Sequence, residues 1–455
     1  MKQEYQQFKQ LLQEFLPAEQ IISDPLRTLA YGTDASFYRL IPQLVLRPES
    51  EQDVARIVKL AYRHKIPFTF RAAGTSLSGQ AITDSVLIQL KDGWKGYQVN
   101  ADASRITLQP GVIGGHANSY LAPFNKKIGP DPASINTAMI GGIAANNASG
   151  MCCGTAQNSY RTLHSMKLIL ADGASVDTGD DTSVTAFRKS HSSLLTALEA
   201  LASQTQSNIA LRQRIEHKYR LKNTTGYALN ALVDFQDPIE IMQHLMIGSE
   251  GTLGFISSIT YNTVDEHPDK ASALIFFPSV RITCEAVAIL KKTPVSAVEM
   301  MDRAGLRSIE NKAGMPDFIK QLPDDAAALL VETRAECESH LAQQVEQIKA
   351  SIASLETVRD VEFTTDPKEY SKYWAIRKGL FPAVGAVRQT GTTVIIEDVA
   401  FPVEQLADAV HDLHQIFIKW NYNEALIFGH ALEGNLHFVF TQSFDTQSEI
   451  DRMKD

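Results

Sequence analysis

The sequence predicts an α+β protein in two parts, and three observations carry that reading. From position 44 onward, short apolar runs alternate with helical patterns, the texture of α/β folding. A polar stretch with a proline, Thr263-Val264-Asp265-Glu266-His267-Pro268-Asp269-Lys270, interrupts that texture. Beyond it, strands predicted at 273–277, 327–332, 358–363, 393–398 and 425–428 alternate with helices at 281–291, 337–353 and 403–419. That alternation is the pattern of an antiparallel sheet covered by helices on one face. At 455 residues the chain exceeds one simple core. The expected division is a helical segment at 1–35, a first domain at 36–267 and a second at 268–455.

In order along the chain, Phe8, Leu11, Leu12, Phe15 and Leu16 have helical spacing. Leu44-Val45-Leu46 is a strand, and Ser50 is placed to cap a helix with acids in its first turn. Val54, Ile57, Val58, Leu60 and Ala61 form the apolar face of that helix. Strands follow at 66–70 and 85–90, a strand into a turn at 166–173, helices at 188–204 and 238–246, and a closing strand at 254–261. Near the end, Thr446 and Glu449 fit a capping box. The helix so opened reaches Asp455 after about two turns, which predicts that the natural chain continues beyond that residue.

Composition is that of an ordinary soluble chain, 44% apolar and 21% charged. A formal charge of −9 argues against a nucleic-acid partner. No run has secretory or membrane-spanning length, so a soluble cytoplasmic protein is expected, with room for peripheral membrane contact. The four cysteines include no CxxC, which excludes an iron–sulfur centre housed in this chain, and the adjacent pair Cys152-Cys153 reads as structural.

Three small-residue segments mark the first part. Arg71-Ala72-Ala73-Gly74-Thr75-Ser76-Leu77-Ser78-Gly79-Gln80 follows a strand directly, and such a loop lets backbone N–H groups and hydroxyls approach a pyrophosphate. It is neither GxxxxGK[ST] nor GxGxxG, so P-loop and Rossmann readings fail. The second segment runs from Gly129-Pro130-Asp131-Pro132-Ala133-Ser134 to Gly141-Gly142-Ile143-Ala144-Ala145-Asn146-Asn147. The third is Ile247-Gly248-Ser249-Glu250-Gly251-Thr252-Leu253-Gly254.

In the second part, Gly429-His430-Ala431-Leu432-Glu433-Gly434-Asn435-Leu436-His437 sets two histidines about a turn. With Glu433-Gly434 as a two-residue hairpin loop, His430 and His437 fall directly opposite one another, about 5 Å apart at Cβ. Imidazoles so placed suit a shared divalent metal, although two histidines alone more often belong to a core.

Taken together, these segments resemble a known family. Residues up to about 265 resemble the FAD-binding domain of the vanillyl-alcohol-oxidase (PCMH) type, with two α/β subdomains, followed by a substrate (cap) domain. From about residue 20 onward the chain is similar to the D-lactate and D-2-hydroxyglutarate dehydrogenases of that superfamily, especially the long bacterial members with a carboxyl-terminal iron–sulfur region. The resemblance implies that Arg71, Ala73, Gly74, Thr75, Ser76, Leu77, Ser78 and Gly79 hold the FAD pyrophosphate. Pro130, Asp131, Ser134, Gly141, Gly142, Ala145, Asn146, Asn147, Glu250, Gly251 and Gly254 would line its other parts. The first loop lacks histidine, so non-covalent FAD is expected. Lys222-Asn223-Thr224-Thr225-Gly226-Tyr227-Ala228-Leu229 also resembles a pocket-lining stretch of these enzymes.

On the substrate side, the resemblance makes Arg377 of Trp374-Ala375-Ile376-Arg377-Lys378 the cation for the carboxylate of a 2-hydroxy acid, a task suited to its bidentate fork. It makes His430 and His437 ligands of a divalent metal, usually zinc, with Glu433 where aspartate is commoner. A third ligand and the catalytic base belong to a Glu-His-Gly motif that residues 438–455 lack. The expectation is therefore an incomplete site, a base outside this chain, and weak or no dehydrogenase activity of residues 1–455 alone. Glu397 and Asp398 read as supporting carboxylates. Electrons would leave through iron–sulfur clusters outside this chain to a quinone or carrier protein, and a homo-oligomer is expected. Glycolate or an alkyl-glycerone phosphate as substrate, or a non-catalytic flavoprotein subunit, are the alternatives.

Overall fold

A computed structural model describes residues 2–455 except 91–92, 225, 312–314, 381–383 and 386–387. The chain divides into two compact units, Met1–Glu266 and His267–Asp455.

The first unit contains two larger sheets. In one, the strands run Ile21–Ile22, Leu44–Leu46, Val86–Gln89 and Phe68–Arg71, the last three mutually parallel. Parallel neighbours need a crossover. The helix Glu51–His64 follows Leu44–Leu46, with the Ser50 hydroxyl accepting the Asp53 N–H at 3.1 Å. Its apolar stripe and that of Gln3–Gln13 bury Ile57, Tyr5, Phe8 and Leu12 in a core with Leu44 and Leu46. The amino-terminal helix is therefore packed into this unit. Because Phe68–Arg71 lies in a parallel array, the loop after it emerges at the carboxyl end of the sheet, where α/β folds bind ligands.

The second sheet is antiparallel, in the order Tyr97–Val99, Arg105–Leu108, Phe255–Asn262, Leu163–Ile169 and Ser175–Asp177. The helix expected at 188–204 is two helices, Asp181–Ser190 and Ser192–Ser207, broken at His191. His191 leaves helical geometry because its ring is stacked on Phe187 and its Nε2 lies 3.0 Å from Asp172 Oδ2.

The second unit is one six-stranded antiparallel sheet, ordered Asp269–Phe277, Ala327–Ala335, Ala297–Met301, Leu426–His430, Asn435–Gln442 and Thr393–Ala400. Helices cover both faces, where the sequence suggested one. Val280–Leu290, Glu338–Ile352 and Leu406–Lys419 pack on Ile275, Val298, Leu329 and Ile427. Arg303–Ile309 and Pro367–Lys378 lie against Met301, Leu330, Phe428 and Val439 on the opposite face. Pro367–Lys378 carries no apolar stripe to reveal it; only Arg377 in it is fully buried. The strand expected at 358–363 does not form, and only Thr364 bridges to Ser272. Ala297–Met301 is the strand the pattern hid, because burial on both faces removes the period-2 signal. The Thr446–Glu449 capping box is present. Among the described residues no helix is long and apolar enough to cross a membrane.

Candidate active site

In the first unit, the second and third glycine segments meet. Helix Ile140–Asn146 ends in Asn147 with φ of 55°, and the Glu250 N–H donates to Ala145 O at 2.9 Å. Asn146 Nδ2 donates to Glu250 Oε1 at 2.7 Å. The first segment reaches the same place: a Cβ on Gly142 would lie 3.6 Å from Ala72 Cβ, and one on Gly251 would lie 3.3 Å from the Phe70 ring. Gly74 and Gly79 take φ of 71° and 76°, so the loop turns twice where other residues would be strained. Thr75, Ser76, Leu77 and Ser78 lie between those turns, where Ser76 Oγ bonds Gln80 Oε1. This small-residue cradle, with left-handed turns at Gly74 and Gly79 and no large side chain at Ala73 or Gly142, fits the flat rings and pyrophosphate of FAD.

Several residues expected at the cofactor are engaged in shaping the loops. Arg71 is buried, with Nε donating to Ala81 O at 2.7 Å and Nη2 to Tyr31 O at 3.1 Å. It ties the far end of the 72–80 loop to the strand that precedes it. Asp131, beside Pro130, accepts the N–H groups of Gly150, Cys152 and Cys153 at 3.0, 2.9 and 3.2 Å. Ser134 accepts the Thr137 and Ala138 N–H groups through its carbonyl. Gly141 donates its N–H to Pro110 O at 2.9 Å. At Gly254 a Cβ would lie 2.9 Å from Ile169 O, a close-packing role. Cys153 is a free buried thiol whose pKa is driven far up by burial and by Asp131. Thr225 lies outside the described residues. Its neighbours Asn223 and Gly226 line a polar recess with Asn147, Tyr160, Arg161 and Gly248, so this stretch borders the same segments.

Burial pushes the Glu250 carboxyl up to about 6, against the lowering effect of its Asn146 bond. A carboxyl raised in the folded state contributes stability below its ordinary value of 4.5 and loses it as pH rises through 6. Glu250→Gln is therefore expected to raise stability at pH 7.5 by roughly 1–2 kcal/mol, with no gain at pH 4. Urea midpoints at the two pH values check this. Gly142→Leu is expected to yield folded protein that purifies without flavin, since its Cβ fits and its branch fills the cradle. The absorbance spectrum of the purified variant checks it.

The second unit gathers a different chemistry on one sheet face. Register sets Glu299 directly opposite His430, and His437 directly opposite Asp398. His430 Nδ1 lies 2.7 Å from Glu299 Oε1, and His437 Nδ1 bonds Asp398 Oδ1. The two-residue hairpin loop is not formed. His430 pairs with Asn435 and His437 with Phe428, because Ala431–Glu433 makes a 3-10 turn closed by Gly434 at φ of 65°. The four-residue loop offsets the histidines by one diagonal step but keeps them on one face. Their ring centroids are 5.1 Å apart and nearly perpendicular. Glu433 belongs to that turn.

Arg377 comes from the last turn of Pro367–Lys378, a helix opened by Asp366, whose side chain accepts the Lys368 N–H, with Pro367 at its first position. Arg377 Nη2 lies 2.7 Å from Glu299 Oε2, and the guanidinium carbon sits 4.4 Å from the Phe428 ring centroid. One turn back, Trp374 Nε1 donates to Glu332 Oε2 at 2.7 Å. The Trp-x-x-Arg spacing thus lays two polar contacts from one helix face onto two buried carboxylates. Arg377 Nε, although buried, has no hydrogen-bond partner among the described residues. Burial alone would raise the Glu299 carboxyl; His430 and the Arg377 guanidinium beside it outweigh that and hold it down at about 2. Burial lowers the Arg377 pKa, with Glu299 opposing. Glu397 points to the other face from Asp398, its pKa raised by burial and by Asp398.

Glu299 and Glu332 were not foreseen. The available signal was a carboxylate inside each of two apolar runs, 297–301 and 327–332, since an acid there is retained only with partners. With Nδ1 donating to a carboxylate, each neutral ring is the tautomer that carries its lone pair on Nε2, the nitrogen type that ligates metals and accepts protons. Among the described residues no three His, Cys, Asp or Glu side chains converge on one metal position.

The comparisons with known proteins name this pairing of units. Residues 42–179 match the family described as FAD binding domain, and residues 266–455 match the C-terminal domain of FAD linked oxidases. The chain belongs to the FAD-linked oxidases. The glycolate oxidase subunit GlcD of Escherichia coli K12 is 26% identical over 94% of this chain and 74% of its own length. A D-2-hydroxyglutarate dehydrogenase of Haemophilus influenzae is 23% identical over 90% of this chain, which spans 42% of that longer protein. The mitochondrial D-lactate dehydrogenase [cytochrome] of Arabidopsis thaliana is 26% identical over 90% of this chain and 62% of its own. Among solved structures, p-cresol methylhydroxylase superposes with a TM-score of 0.67 at 13% identity over the whole of this chain and 86% of its own. That likeness establishes the vanillyl-alcohol-oxidase type of α+β fold.

Proposed function

We propose that the protein oxidises a D-2-hydroxy acid to the 2-oxo acid, with FAD taking the hydride from C2. The observation that carries this reading is the juxtaposition, on one sheet face, of a buried arginine whose Nε–H has no partner among the described residues and two carboxylate-oriented histidines. Arg377 Nε offers the substrate carboxylate a charge-assisted hydrogen bond inside a buried site. The Nε2 atoms of His430 and His437 would hold a divalent metal, whose Lewis acidity would favour loss of the hydroxyl proton. Charge supports the arrangement: Glu299 and Asp398 against Arg377 leave one negative charge in excess, which a divalent cation and a monoanionic substrate bring to neutrality. Non-covalent FAD is assigned to the cradle formed by loop 72–80, helix Ile140–Asn146 and segment 247–254. We assign the general base to no residue of this chain, and the electrons to a quinone or carrier protein.

The family's relatives that act on glycolate, D-lactate and D-2-hydroxyglutarate support the substrate class, and the likeness to GlcD gives glycolate a specific claim within it. Anaerobic mixing of the protein at its native length with glycolate and both enantiomers of lactate and 2-hydroxyglutarate tests the reading. Bleaching of the flavin by a D-acid, and not by its L-enantiomer, is expected. Flavin that no hydroxy acid bleaches would instead support a non-catalytic subunit.

A further inference from the structure

Glu299 joins both halves of the proposed site through one carboxylate, facing Arg377 and His430 at 2.7 Å each. We infer that it is a positioning residue, a single carboxylate that sets the substrate anchor Arg377 and the histidine His430 in register with each other; this rests on the hydroxy-acid reading above.

Its place in the fold argues against a purely structural role. Glu299 is 0% exposed in the strand Ala297–Met301, whose other residues are alanine, valine and methionine. An apolar side chain of similar size would fill that position at lower desolvation cost, so a buried ion pair is weak evidence for stability. What the carboxylate adds is geometry. Oε1 takes His430 Nδ1 at 2.7 Å, which fixes the tautomer and turns the Nε2 lone pair outward. Oε2 lies 2.7 Å from Arg377 Nη2, while Phe428 closes the other side of the guanidinium at 4.4 Å. The cation and the imidazole are thereby held apart by the width of one carboxylate. A 2-hydroxy acid carries its carboxylate and hydroxyl on adjacent carbons and matches such a short spacing; a 3-hydroxy acid places them one carbon farther apart. Asp398 differs, being half exposed on the edge strand Thr393–Ala400, where it pairs with His437.

Glu299→Gln separates the two roles of the carboxylate from its shape. An amide is uncharged, with one accepting oxygen and one donating nitrogen, so it cannot both accept from His430 and offset the charge of Arg377. The experiment measures three quantities on the protein at its native length: flavin content, affinity for zinc chloride in competition with a chromophoric chelator, and KM for the hydroxy acid that bleaches the wild-type flavin. The flavin is expected to remain, zinc affinity to fall by about 10–100-fold, and KM to rise by about tenfold or more in the same variant. Glu299→Asp keeps the charge but is one methylene shorter and cannot span both partners, so it is expected to restore one of the two quantities at most. Wild-type zinc affinity and wild-type KM in flavin-loaded Glu299→Gln would overturn the positioning role and leave the hydroxy-acid reading standing. If Glu299→Gln is insoluble, both quantities at wild-type values in Glu299→Asp overturn it equally. A wild-type protein that takes no zinc and is bleached by no 2-hydroxy acid would overturn the hydroxy-acid reading, and this inference with it.

Discussion

Arg377→Met is expected to lower kcat/KM for the hydroxy acid by about 10²–10⁴-fold while also destabilising the second unit by about 3–5 kcal/mol. The two effects have separate causes. A bond to a charged group contributes about 1.5–3 kcal/mol, and the guanidinium can offer the substrate carboxylate two of them. The stability loss arises because methionine leaves Glu299 buried with its charge no longer balanced by a cation, and breaking one side of a buried pair costs that much. Arg377→Met combined with Glu299→Gln removes both charges together. The double variant is expected to recover most of the stability and none of the turnover, because the carboxylate anchor is still missing. Urea midpoints and steady-state rates on the two variants check this. Equal destabilisation of both would mean that Arg377 acts through packing over Phe428 instead.

His437→Gln is expected to be comparably severe for turnover and mild for folding. His437 lies at the open side of the site and its carboxylate partner is half exposed, so the substitution strands no buried charge. Loss of one of two histidine donors is expected to reduce zinc affinity by at least about 10²-fold and turnover by about 10²–10³-fold, the scale of a lost Lewis acid worth several kcal/mol. Dialysis of the wild-type protein against a chelator is expected to reproduce the loss with the flavin spectrum unchanged, and added zinc to reverse it. Full turnover after chelation would reassign the histidine–carboxylate pairs to proton transfer.

Much of this was legible in the sequence where local rules dominate. Ser50, Thr446 and Glu449 cap helices as their types dictate, and the strands around Val45, Leu87 and Leu168 declare themselves by apolar runs. The three glycine segments could be recognised individually, and their meeting at Asn146, Glu250 and Ala72 follows from topology that no local pattern encodes. His430 and His437 stand out in the sequence as a pair about a turn, but their register depends on a loop two residues longer than the tightest hairpin. Arg377 stands out only through the family resemblance of its Trp-x-x-Arg setting, and its helix does not stand out, since a helix packed through arginine and tryptophan contacts shows no apolar stripe. Glu299 was missed for a related reason: a strand buried on both faces loses its alternation, and its carboxylate gains meaning only once His430 lies across from it.

The central claim is that C2 of a D-2-hydroxy acid gives its hydrogen to the flavin while Arg377 anchors the carboxylate. Anaerobic rapid mixing of wild type and Arg377→Met with the D-acid, carrying hydrogen or deuterium at C2, tests it most directly. Flavin bleaching in the wild type, slowed several-fold by deuterium and lost or greatly slowed in Arg377→Met at the same concentration, is the predicted result. Bleaching at the same rate in both proteins, or no bleaching of the wild type by any 2-hydroxy acid, would contradict the assignment of this site.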